Sequence, residues 1–175
     1  MAWIFSLSAE CGSDESNVNK FAEHFEGVEW MLSNNRQCLC RTDTFQDMDG
    51  NWWCRVYPNN ISEVGIDSPE SAYLMTELGI LFYLTLRFAP WFRYALVGVE
   101  VDEFRTYSEL MQDLSNLSIP GLVLAKELTH GLEILPVFRQ FSPSYIWQPY
   151  EGEVYNPLMA SPELKNKLNE LLAVS

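Results

Sequence analysis

The sequence predicts a single α+β domain, in which helices pack against one mixed, mostly antiparallel sheet. Short segments with alternating apolar and polar residues are typical of strands. Two segments open with Ser-Pro-Glu, at Ser68 and at Ser161, and this pattern favours a helix start. Asp49-Gly50 lies between two strand-like segments, as in a hairpin. With 47% hydrophobic residues, residues 1–175 are expected to enclose one core.

The first quarter of the chain predicts a strand, a helix and a second strand. Residues 2–8 alternate as a strand does. Ser13 or Asp14 is expected to cap a helix that ends near Phe25, and residues 28–33 follow as a strand.

The third and fourth strands are expected to form a hairpin around Asp49-Gly50. This pair suits a two-residue type I′ turn, which pairs Phe45 with Cys54. That register places Cys54 on the face opposite to Cys38 and Cys40.

The second half predicts a buried helix followed by a crossover. The helix is expected to run from Pro69 to about Phe88, and it is apolar on nearly every side. Residues 93–104 and 122–128 are predicted strands, with a capping box at Thr106 between them. Strand, short helix and strand indicate one βαβ crossover with a parallel pair. A terminal amphipathic helix is expected after Ser161.

The net charge of −13 favours a basic partner. Such a surface repels nucleic acid and anionic membranes, so neither is expected as a partner. The strongest apolar segment, Leu78–Leu86, is too short to span a membrane. The first residues do not resemble a signal peptide, so we expect a soluble cytoplasmic protein with reduced cysteines.

Residues 47–51 raise the question of a cation site. Asp47, Asp49 and Asn51 place oxygen atoms at every second position, as in a calcium loop. Counted from Asp47, however, positions 6 and 12 are Trp52 and Pro58 instead of Gly and Glu. The cysteines and histidines also lack zinc spacing. We therefore expect a hairpin turn, no metal and no cofactor.

Three residues are candidates for catalysis. Glu100 and Asp102 alternate along the 93–104 strand, and such a pair could hold Mg²⁺ or act as acid and base. The alternative is a solvated strand face, or an ion pair with Arg93 or Arg105. His130 follows the next strand and could act as a base. Nucleophile-elbow and phosphate-binding glycine motifs are absent from the sequence, so the prediction leans away from an enzyme.

The aromatic and proline-rich segment 141–158 is the candidate binding surface. Exposed carboxylates would direct encounter with a basic partner, and exposed rings would hold it. The expected binding residues are Tyr145, Trp147, Tyr150, Glu151 and Glu153. The alternative is a loop that crosses the sheet and buries its rings.

These observations favour a protein-binding module. One concrete form is a bacterial immunity-type or inhibitor protein that captures a basic toxin or nuclease, an analogy that rests on charge and size. Two alternatives stay open: a small metal-dependent hydrolase that uses Glu100 and Asp102, and a DNA mimic of the antirestriction type. The sequence leaves the oligomeric state open.

Overall fold

The structure is a computed structural model that describes residues 4–59, 69–129, 137–153 and 161–173. These ranges contain eight strands and four α-helices, which confirms the predicted α+β fold. The strands are β1 (Phe5–Glu10), β2 (Glu29–Met31), β3 (Gln37–Gln46), β4 (Trp52–Asn59), β5 (Tyr94–Val99), β6 (Val123–Ala125), β7 (Arg139–Ser142) and β8 (Tyr145–Trp147). The helices are α1 (Glu15–Phe25), α2 (Pro69–Leu86), α3 (Tyr107–Asp113) and α4 (Pro162–Ala173). Two 3-10 turns, Leu114–Asn116 and Lys126–Thr129, complete the set.

All eight strands form one sheet, in the order β2-β3-β4-β1-β5-β6-β8-β7. Strand β1 lies near its middle and is buried along its whole length. Leu7 and Ala9 face a core formed with α1, α2 and α4. On the opposite face, Leu110 of α3 and the residues after it pack over Trp53 and Tyr94.

Local sequence signals place the helices where they were expected. Asp14 caps α1 by accepting a hydrogen bond from the Ser16 N–H at 2.9 Å. Thr106 and Glu109 form the predicted capping box at the start of α3. Helix α2 begins at Pro69, and most of its residues are buried, as its apolar character predicts.

The predicted βαβ crossover is wrong, because β5 and β6 pair antiparallel, with Tyr94 opposite Leu124. The connection of residues 100–122, which includes α3, does return the chain to the level where β5 begins, since Val123 lies opposite Ala95. From there β6 runs in the direction opposite to β5, so the two strands form an antiparallel pair instead of the expected parallel one.

The predicted hairpin register is wrong by one residue. Phe45 lies opposite Trp53, because the loop contains three residues instead of two. The Gly50 N–H donates to the Asp47 carbonyl at 3.1 Å, and the Asp47 N–H donates to the Asn51 carbonyl at 2.9 Å. Gly50 has a φ of 80°, so the loop is a type I turn closed by a left-handed glycine.

This one-residue shift moves Cys54 to the face that Cys38 and Cys40 share, because side chains alternate along a strand. The expectation that Cys54 faces away is therefore wrong. All four cysteines are unpaired thiols in the core beneath α1 and α2. Burial raises the pKa of Cys38 to about 11, which keeps that thiol protonated. In the described ranges, no group of three or more His, Cys, Asp or Glu side chains is placed to hold a metal.

Candidate protein-binding surface

Two of the aromatic residues predicted to bind a partner lie in the core. Trp147 is 0% exposed and Tyr150 is 3% exposed. Both rings pack on Tyr83, each with a centroid distance of 5.1 Å. Strand β8 lies between β6 and β7, and Trp147 is part of the core formed with α1, α2 and α4. The predicted contact role of these two rings is corrected to a structural role.

The two predicted carboxylates have different environments. Glu151 is exposed. Glu153 accepts a hydrogen bond from the Tyr150 hydroxyl at 2.5 Å, and its own N–H donates to Thr76 Oγ1 at 3.0 Å. Burial raises the pKa of Glu153 above its ordinary value. Of the two, only Glu151 presents a solvated charge.

Tyr145 is the predicted binding ring that remains partly exposed. It stacks on Phe92 with a centroid distance of 4.3 Å. Its hydroxyl accepts from the Phe92 N–H at 3.1 Å and donates to the Phe92 carbonyl at 2.8 Å. These contacts fix the ring as one wall of a cavity of about 310 Å³ beside Trp91.

The candidate catalytic carboxylates do not alternate along a strand. Strand β5 ends at Val99, and Glu100 lies in the following turn with a φ of 56°. Glu100 Oε1 accepts from the Ile4 N–H at 3.2 Å. Asp102 pairs with Arg55 at 2.8 Å, and not with either of the arginines that the sequence suggested. The prediction that Glu100 and Asp102 alternate along one strand is therefore wrong. The third candidate, His130, lies outside the described residues.

The structure instead assembles a surface at one end of the sheet. The registers place Trp53, Glu10, Tyr94 and Leu124 side by side on neighbouring strands. The chain segments just beyond this row are the hairpin tip, the start of α1, the segment before β5 and the turn after β6. They carry the exposed residues Asp14, Met48, Asp49, Trp91 and Glu127, and we call this surface the acidic end of the sheet.

Trp91 is the aromatic anchor of the acidic end. The indole is 40% exposed, and its Nε1–H donates to Glu127 Oε1 at 3.0 Å. Its ring lies over Gly12, where a Cβ atom would approach the ring carbon Cη2 to 3.3 Å. A side chain at position 12 would therefore push the ring outward. The cavity is lined by this ring and also by Pro143, Ser144 and Tyr145.

The acidic end carries a net negative charge. Arg93, which lies below Trp91, is paired with the buried Glu10 and stacks on the Tyr107 ring at 3.8 Å. Lys126 donates to the Pro143 carbonyl at 2.9 Å and keeps its positive charge, which offsets one of the three exposed carboxylates. Among the ion pairs of the described residues, none includes Asp14, Asp49 or Glu127.

The sequence prediction missed Trp91. Its segment, 87–93, reads RFAPWFR, which has the pattern of a helix end followed by the start of a strand. A proline between two aromatic residues in a short connection was an available signal, because connecting segments often carry binding residues.

No protein-family model, curated protein or solved structure matches this chain. In the part of the chain that the structure describes, none of the helices has the length and apolar character needed to cross a membrane.

Proposed function

We propose that this protein binds a basic protein partner through the acidic end of the sheet and has no catalytic role. The observation that carries the proposal is the half-exposed ring of Trp91 beside a cavity, among carboxylates that lack ion-pair partners. Tryptophan is enriched among the residues that dominate binding energy. Unpaired surface carboxylates accelerate the capture of a positively charged protein.

The rigid setting of Trp91 supports this role. The contact with Gly12 below the ring and the hydrogen bond to Glu127 hold the indole in place before binding. A side chain that is already ordered loses less conformational entropy when a partner covers it. The cavity of about 310 Å³ beside the ring could accept one side chain of the partner.

In its specific form, the proposal makes the protein a cytoplasmic inhibitor of a basic toxin or nuclease. Its support is the charge of −13 and the unpaired state of all four cysteines. Thiols in this state are typical of a reducing compartment. The alternative of a hydrolase has less support. Glu100 accepts a hydrogen bond from a backbone amide, and Asp102 pairs with an arginine.

The test begins with affinity capture of the partner from the native host, followed by surface-plasmon kinetics. Trp91→Ala is expected to raise the dissociation rate constant roughly 30-fold, which corresponds to the loss of a hot-spot side chain. Met31→Ala is the matched control, because Met31 is also exposed but lies near the opposite end of the sheet. Equal effects of the two substitutions would contradict the proposal.

A further inference from the structure

Strand β3 is much longer than the strand that covers its outer edge. β3 has 10 residues, and it pairs with β4 from Leu39 to Gln46 without a register shift. On its other side, β2 pairs only with residues 37–39. The chain before β2 extends this cover by one residue, because Cys40 exchanges backbone hydrogen bonds with Gly27 and Val28.

The hydrogen-bond pattern between β3 and β4 shows which backbone groups of β3 point away from β4. The Asp47 N–H bonds the Asn51 carbonyl on the β4 side. In an antiparallel pair the residues alternate, so even-numbered residues of β3 point their N–H and C=O groups away from β4. Glu26 Oε2 accepts from the Thr42 N–H at 2.8 Å. Within the described ranges, the backbone N–H and C=O of Thr44 have no partner on this side.

Proteins usually protect such an edge with lysine, proline, a bulge or a very short strand. The opposite edge of this sheet is protected in these ways: β7 carries Arg139, has a register shift after Gln140, and is followed by Pro143. The segment Thr42–Gln46 contains no lysine, proline or glycine, and its one charged residue is Asp43. Within the described part of the chain, the outward backbone groups of Thr44 and Gln46 therefore remain available for pairing, whereas the Thr42 N–H is already bonded to Glu26.

We infer that Thr42–Gln46, which we call the open edge, pairs with an extended basic segment of the partner, which becomes a ninth strand. This inference rests on the proposed function, and it assigns a second contact to the same partner. Main-chain hydrogen bonds would supply affinity, and alternate side chains of the added strand would supply specificity.

Charge identifies the class of segment that fits. Asp43 lies within the open edge with its side chain 46% exposed, and it shares Arg55 with Asp102, so these three groups together keep a net negative charge. Glu26, beside the open edge, pairs with Arg41, whereas Asp49 at the hairpin tip is in none of the ion pairs of the described residues. Lysine or arginine in the added strand would lie near these carboxylates, whereas a second copy of this chain would bring like charges together.

The test uses a ten-residue peptide in which lysine alternates with valine, and a matched peptide in which glutamate replaces lysine. Binding is followed by NMR, with hydrogen exchange of each backbone amide as the readout. The lysine peptide is expected to slow exchange at Thr44 and Gln46. Thr44→Pro removes one outward N–H and is expected to weaken binding roughly three- to tenfold, whereas Thr44→Val keeps that N–H and should bind normally.

A peptide N-methylated at alternate residues provides an independent check that does not depend on the folding of the proline variant. It should fail to protect the open edge, because it lacks the N–H groups that pair with β3. Equal binding of the glutamate peptide, or no added protection at Thr44, would overturn the inference. So would a wild-type dimer that Thr44→Pro makes monomeric, since the edge would then pair with a second copy.

The inference and the proposed function can fail separately. If Trp91→Ala weakens binding of the captured partner and Thr44→Pro does not, the open-edge contact is wrong and the proposed function stands. If neither substitution weakens binding of that partner, both are wrong.

Discussion

Replacing Asp47 by alanine should destabilise the protein far more than a change at any neighbouring position in the hairpin turn. Asp47 is 7% exposed. Its Oδ1 accepts from the Asp49 and Asn51 N–H groups at 2.9 and 3.1 Å. Its Oδ2 accepts from the buried Trp53 Nε1–H at 2.8 Å. One carboxylate thus orders the turn and accepts the hydrogen bond of the Trp53 indole, which is buried on the α3 side of the sheet.

The magnitude follows from the groups that lose their acceptor. The Trp53 indole N–H stays buried, and leaving it unpaired costs about 1–3 kcal/mol. The two turn amides lie near solvent and can bind water, so their loss adds about 1 kcal/mol in total. Asp47→Ala should therefore lower the free energy of unfolding by about 2–4 kcal/mol. Asp47→Asn should cost about half as much, because an amide retains one acceptor oxygen.

Urea unfolding followed by circular dichroism measures these changes, with Asp49→Asn as the control. Asp49 is exposed, so its substitution should change the free energy of unfolding by less than about 0.5 kcal/mol. A loss below about 1 kcal/mol for Asp47→Ala, or an equal loss for Asp49→Asn, would refute the reasoning. Because both oxygens of Asp47 already accept N–H groups, calorimetry should also detect no tight calcium binding.

The remaining predictions concern the aromatic segment near residue 150. Trp147→Ala should cost about 3–5 kcal/mol of stability, whereas Trp91→Ala should cost much less; thermal and urea unfolding of both variants compare a core ring with a surface ring. Burial raises the pKa of Glu153 in the folded state, so folded protein holds that proton above the ordinary value of 4.5, where unfolded protein releases it. Stability from this group should fall as the pH rises from about 4.5 through the folded pKa. Glu153→Gln should reduce that fall and Glu151→Gln should not, and a larger fall in the Glu153→Gln variant would contradict the burial argument.

The sequence predicted the elements that depend on local chemistry. Asp14 and the Thr106–Glu109 capping box mark their helices because side-chain oxygens must satisfy the first N–H groups. The burial of α2 follows from its apolar composition. The hairpin was also located correctly, because its turn residues lie between two strand patterns.

The errors arose where distant contacts decide the outcome. The carboxylate of Asp47 stabilises a three-residue loop. Because this loop is one residue longer than predicted, Cys54 lies on the opposite face of the sheet from the predicted one. Trp147 was named as a binding residue, with burial of its ring against the sheet as the alternative, and the structure supports that alternative, because Trp147 is buried and β8 pairs with β6 inside the sheet. The surface role of Trp91 depends on Gly12 and Glu127, which are distant from it in sequence.

The central claim is that the acidic end of the sheet captures a basic partner. Its most direct test is the association rate constant of the captured partner for two triple variants with equal loss of charge. One variant neutralises the acidic end through Asp14→Asn, Asp49→Asn and Glu127→Gln. The other carries Glu29→Gln, Glu70→Gln and Glu163→Gln, three substitutions toward the opposite end.

At low salt, the first variant should associate roughly three- to tenfold more slowly than the unmodified protein, and the second should associate almost normally. At about 1 M salt the Debye length falls to roughly 3 Å, so the difference between the variants should nearly vanish. If both variants slow association equally, or if the captured partner is acidic, the acidic end is not the capture surface.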